Sequence, residues 1–224
     1  HAAEIIKKLL PTVDVIVENF KAGTMQRRGL DYESLRALKP DLIYCSITGY
    51  GQNGPKAGDA AYDGAIQASS GMMSQNGHPE TGPTRTGYMP VDMSTALNSA
   101  FAISAALYRK ATTGEGQHID LSMLDAGLFF IFPDGFQNHT LLDDDVPPQP
   151  LLIDILYELT ITKDGAVTIS AGTAEQQMRS LIAMGMEHLL ADERFDDMQK
   201  LLANIDIFKS LVASEYLKHT TDEV

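Results

Sequence analysis

"DVIVENFKAGTMQRRGLDYESLRALKPDLIYCSITGYG", residues Asp14 to Gly51, decides the fold class. Asp14 to Asn19 carries apolar residues on both sides of the β alternation, the pattern of a short strand buried on both faces. Gly23 and Gly29 punctuate a turn that leads into one or two helical turns. "DYESLRAL" repeats the helical spacing, with Asp31 placed as its cap. From Leu42, "LIYCSITGYG" is a second strand that runs out into glycines. Residues 4–10 already read as a short amphipathic helix. Helix, strand, helix, strand in that order predicts an α/β fold with a doubly wound, mostly parallel sheet. Such sheets bind ligands beyond the carboxyl ends of their strands, which here carry "ENF" and "TGYG".

Working outward, residues 49–90 are rich in Gly and Pro, with one helical island at about 61–71. Two substantial helices follow, at about 93–110 and 121–138, separated by "TTGEGQHIDL", a turn with a short strand. "LLDDDVPPQPLL" joins an acidic run to three prolines and reads as a boundary. Residues 1–150 are therefore expected to form part of a large α/β domain. Residues 151–224 are expected to form part of a smaller α+β domain, with a hairpin around Lys163–Gly165 and two helices after it.

The 224 residues carry 17 Lys and Arg against 30 Asp and Glu, a formal net charge of -13. That balance argues against a nucleic-acid partner, because phosphate backbones favour basic surfaces. It leaves room for a small anionic ligand, which needs only a local group of donors. Cys45 is the only cysteine, so no disulfide forms within the chain, and a cytoplasmic protein is expected. The apolar runs near 97–107 and 124–133 are too short to span a bilayer, so no membrane partner is expected. The chain opens on "HAAEIIKKLL", already inside a helical pattern, and stops at "TTDEV". It is expected to be a piece of a longer protein.

Asp92 sits at the mouth of "YMPVDMSTALNSAFAISAALYRK" (Tyr88–Lys110). It reads as a helix N-cap first, and alternatively as a carboxylate held ionised by helix amides and able to attack an acyl carbon. Behind it Ala96, Ala100, Ser104 and Ala105 allow close approach of a backbone or ligand. Tyr62 and Asp63, in "AAYDGAIQ", read as a ligand-facing hydroxyl and carboxylate, or as a surface tyrosine and another cap. Arg27 and Arg28 suit phosphate groups, or are solvated charges on a short helix. His78, His118 and His139 are widely spaced, and no metal-ligand spacing occurs, so no metal is expected. The serine-hydrolase elbow and the P-loop are also missing.

The stretch Asp14–Gly51, its continuation through "GMM", and "VDMSTALNSAFAISAALYRKATTGEGQHIDLSMLDA" together resemble the family III CoA-transferases, which include 2-methylacyl-CoA racemases. The ordered set ENF-x-x-G, L-x-x-L-x-P-x-L-I-Y, G-Y-G-Q-x-G-P and T-G-x-G-Q carries the resemblance. It implies that the large domain binds CoA, that the subunits form an interlocked homodimer, and that no cofactor is tightly bound. The substrates implied are an acyl-CoA thioester and a small carboxylic acid. In the transferases an aspartate takes the acyl group from CoA as a mixed anhydride, and Asp92 falls at its place. Tyr62 matches a tyrosine near the reacting end of CoA, and Asn19, Phe20, Arg27 and Arg28 fall where relatives line the nucleotide. The racemases carry a histidine where this chain has Tyr62, which favours transfer over proton exchange. "DDDVPPQPLLIDILYELTI" lacks the glycine-rich loop of some formyl-CoA transferases. A non-catalytic scaffold that retains the fold is the third reading.

Overall fold

The computed structural model describes residues 2–77, 81–136, 138–140, 143, 145–146 and 159–224. The chain divides into two compact units, His1–Thr140 and Leu141–Val224. Most of the boundary expected at "LLDDDVPPQPLL", along with His78, lies outside the described residues.

In the first unit, β1 (Val15–Glu18), β2 (Ile43–Thr48) and β3 (Gln117–Ser122) form a parallel sheet in the order β1-β2-β3. Val15 stands opposite Ile43, and Ile43 opposite Gln117, so the three strands begin level with one another. Side chains alternate between the two faces. One face carries Ile43, Cys45 and Ile119, which pack on Ala102, Ile103 and Ala106 of the long helix α5 (Pro90–Thr113). The opposite face carries Ile16 and Tyr44. These meet Leu30, Leu35 and Tyr32 from the segment leading into and through α2 (Tyr32–Arg36), and Ala3 of α1 (Ala2–Leu9). Helices therefore cover both faces, as a doubly wound sheet requires. The buried Tyr44 ring is accommodated because its hydroxyl donates to the Leu30 carbonyl at 2.9 Å. Asp31 caps α2 as expected, accepting from the Ser34 amide.

Two glycines of "TGEGQ" have separate physical reasons. Gly114 ends α5 in the left-handed conformation at φ 76°, and its N–H closes on the Lys110 carbonyl at 2.8 Å. A Cβ on Gly116 would lie 2.1 Å from the Leu42 carbonyl oxygen, so only glycine lets the chain enter β3 against the start of β2.

The remaining α-helices among the described residues of this unit are α3 (Asp63–Ser69), α4 (Met72–Gln75) and α6 (Met123–Ile131). Ile66, Met72, Val91 and Met123 join α3, α4, α5 and α6 in a further cluster. The helix expected to reach residue 138 ends at Ile131, just before Pro133, whose ring disfavours helical geometry in the residue ahead of it.

The second unit has the expected hairpin. β4 (Leu159–Ile161) pairs antiparallel with β5 (Ala166–Thr168). α7 (Ala174–Ala183) starts on a reciprocal cap between Thr173 and Gln176. α8 (Met198–Ala203) and α9 (Ile205–Tyr216) follow. Met186, Leu189 and Tyr216 form the core of this unit, with Phe195, Phe208 and Val212 packed against it.

Candidate active site

The direction of α5 places the site. At its carboxyl end the Lys110 ammonium contacts Asp14 and Asp41, each at 2.7 Å, just ahead of β1 and β2. The helix therefore runs antiparallel to the strands. Eighteen residues back, Asp92 is about 27 Å away along the helix axis at 1.5 Å per residue. A six-residue strand spans only about 20 Å. Asp92 thus stands at, and slightly beyond, the carboxyl edge of the sheet, where α/β folds bind ligands.

Asp92 is not the N-cap of α5. The helix begins three residues earlier than expected, with Met89 at the cap position and Pro90 in its first turn. Proline suits that position because its missing N–H would have had no partner in the helix. The cap comes instead from another helix. Asp63, the first residue of α3, is 5% exposed, and its Oδ2 accepts from the Val91 amide at 2.9 Å and the Asp92 amide at 3.1 Å. The expectation that Asp63 caps its own helix is corrected by the same contacts. Tyr62 holds the cap position of α3 through its backbone carbonyl, which accepts from Ala65 and Ile66.

Because Asp63 takes these amides, the Asp92 carboxyl is not held ionised by them. Partial burial pushes its pKa above the ordinary 3.8, and the neighbouring Asp63 carboxylate pushes in the same direction. A carboxylate less well solvated than usual is a stronger base and a readier nucleophile. Behind it, the buried stripe of α5 is Val91, Ser94, Thr95, Ser99 and Ala106. Thr95 and Ser99 turn their hydroxyls back onto the carbonyls four residues earlier, at 2.7 and 2.8 Å, which satisfies them inside the core. Ala96, Ala100, Ser104 and Ala105, expected as the close-packing set, lie on the exposed side.

The structure brings Asp63 and Asp92 together, with Tyr62 beside them in the chain and its side chain 81% exposed. The nucleotide candidates form a second group at the exit of β1. The Asn19 side-chain amide donates to the Ile47 carbonyl of β2 at 2.8 Å, fixing that exit. Phe20 is exposed, and its amide donates to Glu18. Arg27 and Arg28 lie in a single 3-10 turn, both exposed, and Arg27 donates to the Thr24 hydroxyl at 3.1 Å. A cleft of about 490 Å³ opens behind this turn, lined by Lys21, Gln26, Tyr44, Ser46 and His118 among others. None of Asn19, Phe20, Arg27 or Arg28 lines it. His118 is engaged there, stacked on Tyr32 and hydrogen-bonded to Ser46 at 2.9 Å. Among the described residues no cluster of three His, Cys, Asp or Glu side chains could hold a metal ion, and no helix is long and apolar enough to cross a membrane.

Sequence reasoning missed two residues at the site. Gln67 is fully buried on α3 and hydrogen-bonded to Asp63. Arg85 lies over the start of α3, its Nε 3.9 Å from where a Cβ on Gly64 would stand. Gln67 was discoverable, since it lies four residues after Asp63 and so shares its helix face.

The whole chain, residues 1–224, matches the profile described as CoA-transferase family III. The chain belongs to that family. Among curated family III relatives, it is 37% identical over 220 residues to the succinate–glutarate CoA-transferase of Agrobacterium fabrum, covering 96% of this chain and 54% of the relative. It is 42% identical over 213 residues to the acetyl-CoA:oxalate CoA-transferase of Acetobacter aceti, covering 92% and 54%. The crystal structure of a CAIB/BAIF family protein from Brucella suis superposes with a TM-score of 0.81 at 34% identity, covering 99% of this chain and 59% of that one. The chain thus spans about half the length of the curated relatives it matches. The α/β fold with its parallel sheet is the fold of this CAIB/BAIF family neighbour.

Proposed function

We propose that the protein to which this chain belongs is an acyl-CoA:carboxylate CoA-transferase in which Asp92 is the nucleophile. The observation that carries this reading is an exposed aspartate at the carboxyl edge of the sheet, its backbone fixed by a buried carboxylate from a neighbouring helix. An Asp92 oxygen attacks the thioester carbonyl, the C–S bond breaks, and CoA thiolate leaves an aspartyl acyl anhydride. The thiolate attacks the Asp92 carbonyl carbon of that anhydride, which frees the donor acid and leaves an aspartyl–CoA thioester. The acceptor carboxylate attacks this thioester and releases thiolate again. The thiolate then attacks the acceptor's acyl carbon, forming the new acyl-CoA and restoring Asp92. Every step is acyl transfer between good leaving groups, so one difficult exchange becomes four easier ones.

Tyr62 lines the reacting site, and Asp63 supports it by fixing the first turn of α5. Asn19, Phe20, Arg27 and Arg28 meet the nucleotide of CoA, the arginines supplying fixed positive charge to its phosphates. CoA enters as a substrate thioester, and no bound cofactor is needed. The names of the two relatives point to small dicarboxylates as the first acceptors to try. We place the protein in the cytoplasm as a homodimer. Its apolar side chains Leu97, Phe101 and Phe129, exposed on α5 and α6, offer a surface that suits a protein partner. Sedimentation of the full-length protein at twice the subunit mass checks the dimer.

The deciding experiment incubates full-length protein with labelled acyl-CoA, traps with hydroxylamine and maps the modified peptide by mass spectrometry. Modification of Asp92, with CoA exchange lost and CoA binding retained in Asp92→Asn, is the expected result. Exchange of the α-hydrogen in deuterated water without an Asp92 adduct would establish the racemase instead. CoA binding without turnover would establish the scaffold.

A further inference from the structure

Gln67 is fully buried in α3, and its carboxamide makes three contacts. Nε2 donates to Asp63 Oδ1 at 2.5 Å and reaches the Tyr88 carbonyl at 3.4 Å. Oε1 accepts from the Thr86 amide at 3.1 Å. The other Asp63 oxygen holds the Val91 and Asp92 amides. One side chain thus ties α3 to the loop that enters α5, and through Asp63 to the backbone of Asp92. Only a carboxamide supplies two donors and an acceptor in one plane, and α3 places it one turn below Asp63. A buried polar side chain so fully engaged is stable only while each partner stays in place.

We propose that Gln67 is a positioning residue for Asp92, setting the geometry of attack by locking the Asp63 carboxylate that caps α5. The inference rests on Asp92 being the attacking group. Among the described residues, the charged groups on the elements around it are Asp63 on α3, Asp92 at the start of α5, Asp125 on α6 and Arg85 on the entering loop; Arg109 and Lys110 lie at the far end of α5, and α4 carries none. In Gln67→Leu, Asp63 Oδ1 loses its donor and the Thr86 amide its acceptor, so the carboxylate is no longer oriented. In Gln67→Glu, a protonated carboxyl donates to Asp63 and accepts from Thr86 as the amide did, whereas an ionised one repels Asp63. Two carboxyls this close compete for one proton, and the like-charge repulsion opposes ionisation of both at once, so the contact depends on pH.

The test uses full-length wild type, Gln67→Leu and Gln67→Glu. Acyl-CoA affinity and the single-turnover rate of hydroxylamine-trappable Asp92 adduct are measured across pH. Gln67→Leu is expected to bind acyl-CoA within about threefold of wild type and to form the adduct roughly tenfold or more slowly, the loss of one well-placed hydrogen bond. The adduct rate of Gln67→Glu, taken as a ratio to wild type at each pH, is expected to rise reversibly as pH falls. Equal adduct rates in all three proteins overturn the proposal. So does a loss confined to acyl-CoA affinity, or a Gln67→Glu ratio that does not change with pH. If Gln67→Leu does not fold, the pH dependence of Gln67→Glu decides alone. Absence of an Asp92 adduct in wild type is a separate outcome, which overturns the role of Asp92 and this inference with it.

Discussion

Replacing Asp63 separates the two effects that this residue exerts on Asp92. Asp63→Ala leaves the Val91 amide, the Asp92 amide and Gln67 Nε2 without their acceptor. The Val91 bond is buried, whereas Asp92 is exposed enough for its amide to find water, and Gln67 keeps its Tyr88 contact. The unmade buried Val91 bond costs about 1–3 kcal/mol and the bonds lost at Asp92 and Gln67 about 0.5–1.5 kcal/mol each, and loss of a buried charge offsets part of the total, so a net loss of about 1–5 kcal/mol is expected. For a unit of this size that corresponds to a fall in melting temperature of roughly 3–20 °C. Asp63→Asn keeps an oxygen for the two helix amides but turns an NH2 toward that of Gln67, a smaller cost of about 1–2 kcal/mol. It also removes the like charge that raises the Asp92 pKa. The acid limb of the single-turnover rate should therefore move to lower pH in Asp63→Asn. Stability should respond to the same charge. A carboxyl whose folded value lies above 3.8 weakens the fold as pH rises from 3.8 through that value, and the penalty is absent below 3.8. That penalty should shrink in Asp63→Asn. Circular dichroism melts and rapid-quench adduct formation measure the two effects in the full-length protein. A melting temperature for Asp63→Ala within about 2 °C of wild type would refute the capping argument. An acid limb in Asp63→Asn that stays fixed or moves upward would refute the charge argument.

Other perturbations probe the scaffold and the nucleotide group. Arg27→Ala should weaken CoA binding by roughly ten- to a hundredfold, the range for one charge-assisted hydrogen bond, as read by isothermal titration. Unchanged affinity would remove Arg27 from the phosphate site. Lys110→Met removes the ammonium that, mainly by hydrogen bonding and with help from Lys39, holds the Asp41 carboxyl down to about 2. Its stability deficit should be full above pH 3.8 and fade as pH falls toward about 2, as tracked by melting temperature against pH. Gly116→Ala should sharply reduce the yield of folded protein, because its Cβ meets the Leu42 backbone and not a movable side chain. Ala replacement at the open Gly58 is the matched control, expected to fold like wild type.

How much was legible in the sequence depended on the range of the forces involved. β1 and β2 were visible in Asp14–Asn19 and Leu42–Ile47 as apolar runs that no solvated loop would keep; β2 is buried on both faces as expected, whereas β1 lies at the sheet edge and leaves Val17 exposed. Asp31 was legible as a cap because its partner amide is three residues away. β3 was only a short strand after a turn in the sequence reading, since "QHIDLS" alternates too weakly to declare itself. Its six residues are fixed by pairing with β2, seventy-odd positions earlier.

The site failed differently. A cap rule that looks one residue ahead of an apolar run makes Asp92 the cap of its helix and Asp63 the cap of α3. In the folded chain the Pro90 ring pre-sets the first turn, which moves the helix start back to Pro90 and frees Asp92 from capping. Asp63 then crosses 28 positions to serve the wrong helix by any local rule. Its neighbour Gln67 looks like an ordinary helix former until its three partners, drawn from α3 and the 86–88 loop, are seen together. The consequence is chemical as well as structural. Had Asp92 capped its own helix, its carboxylate would have been occupied by backbone amides and held at low basicity. Handing the cap to Asp63 leaves the Asp92 oxygens unspent and raises their basicity, the condition in which a carboxylate can attack a thioester.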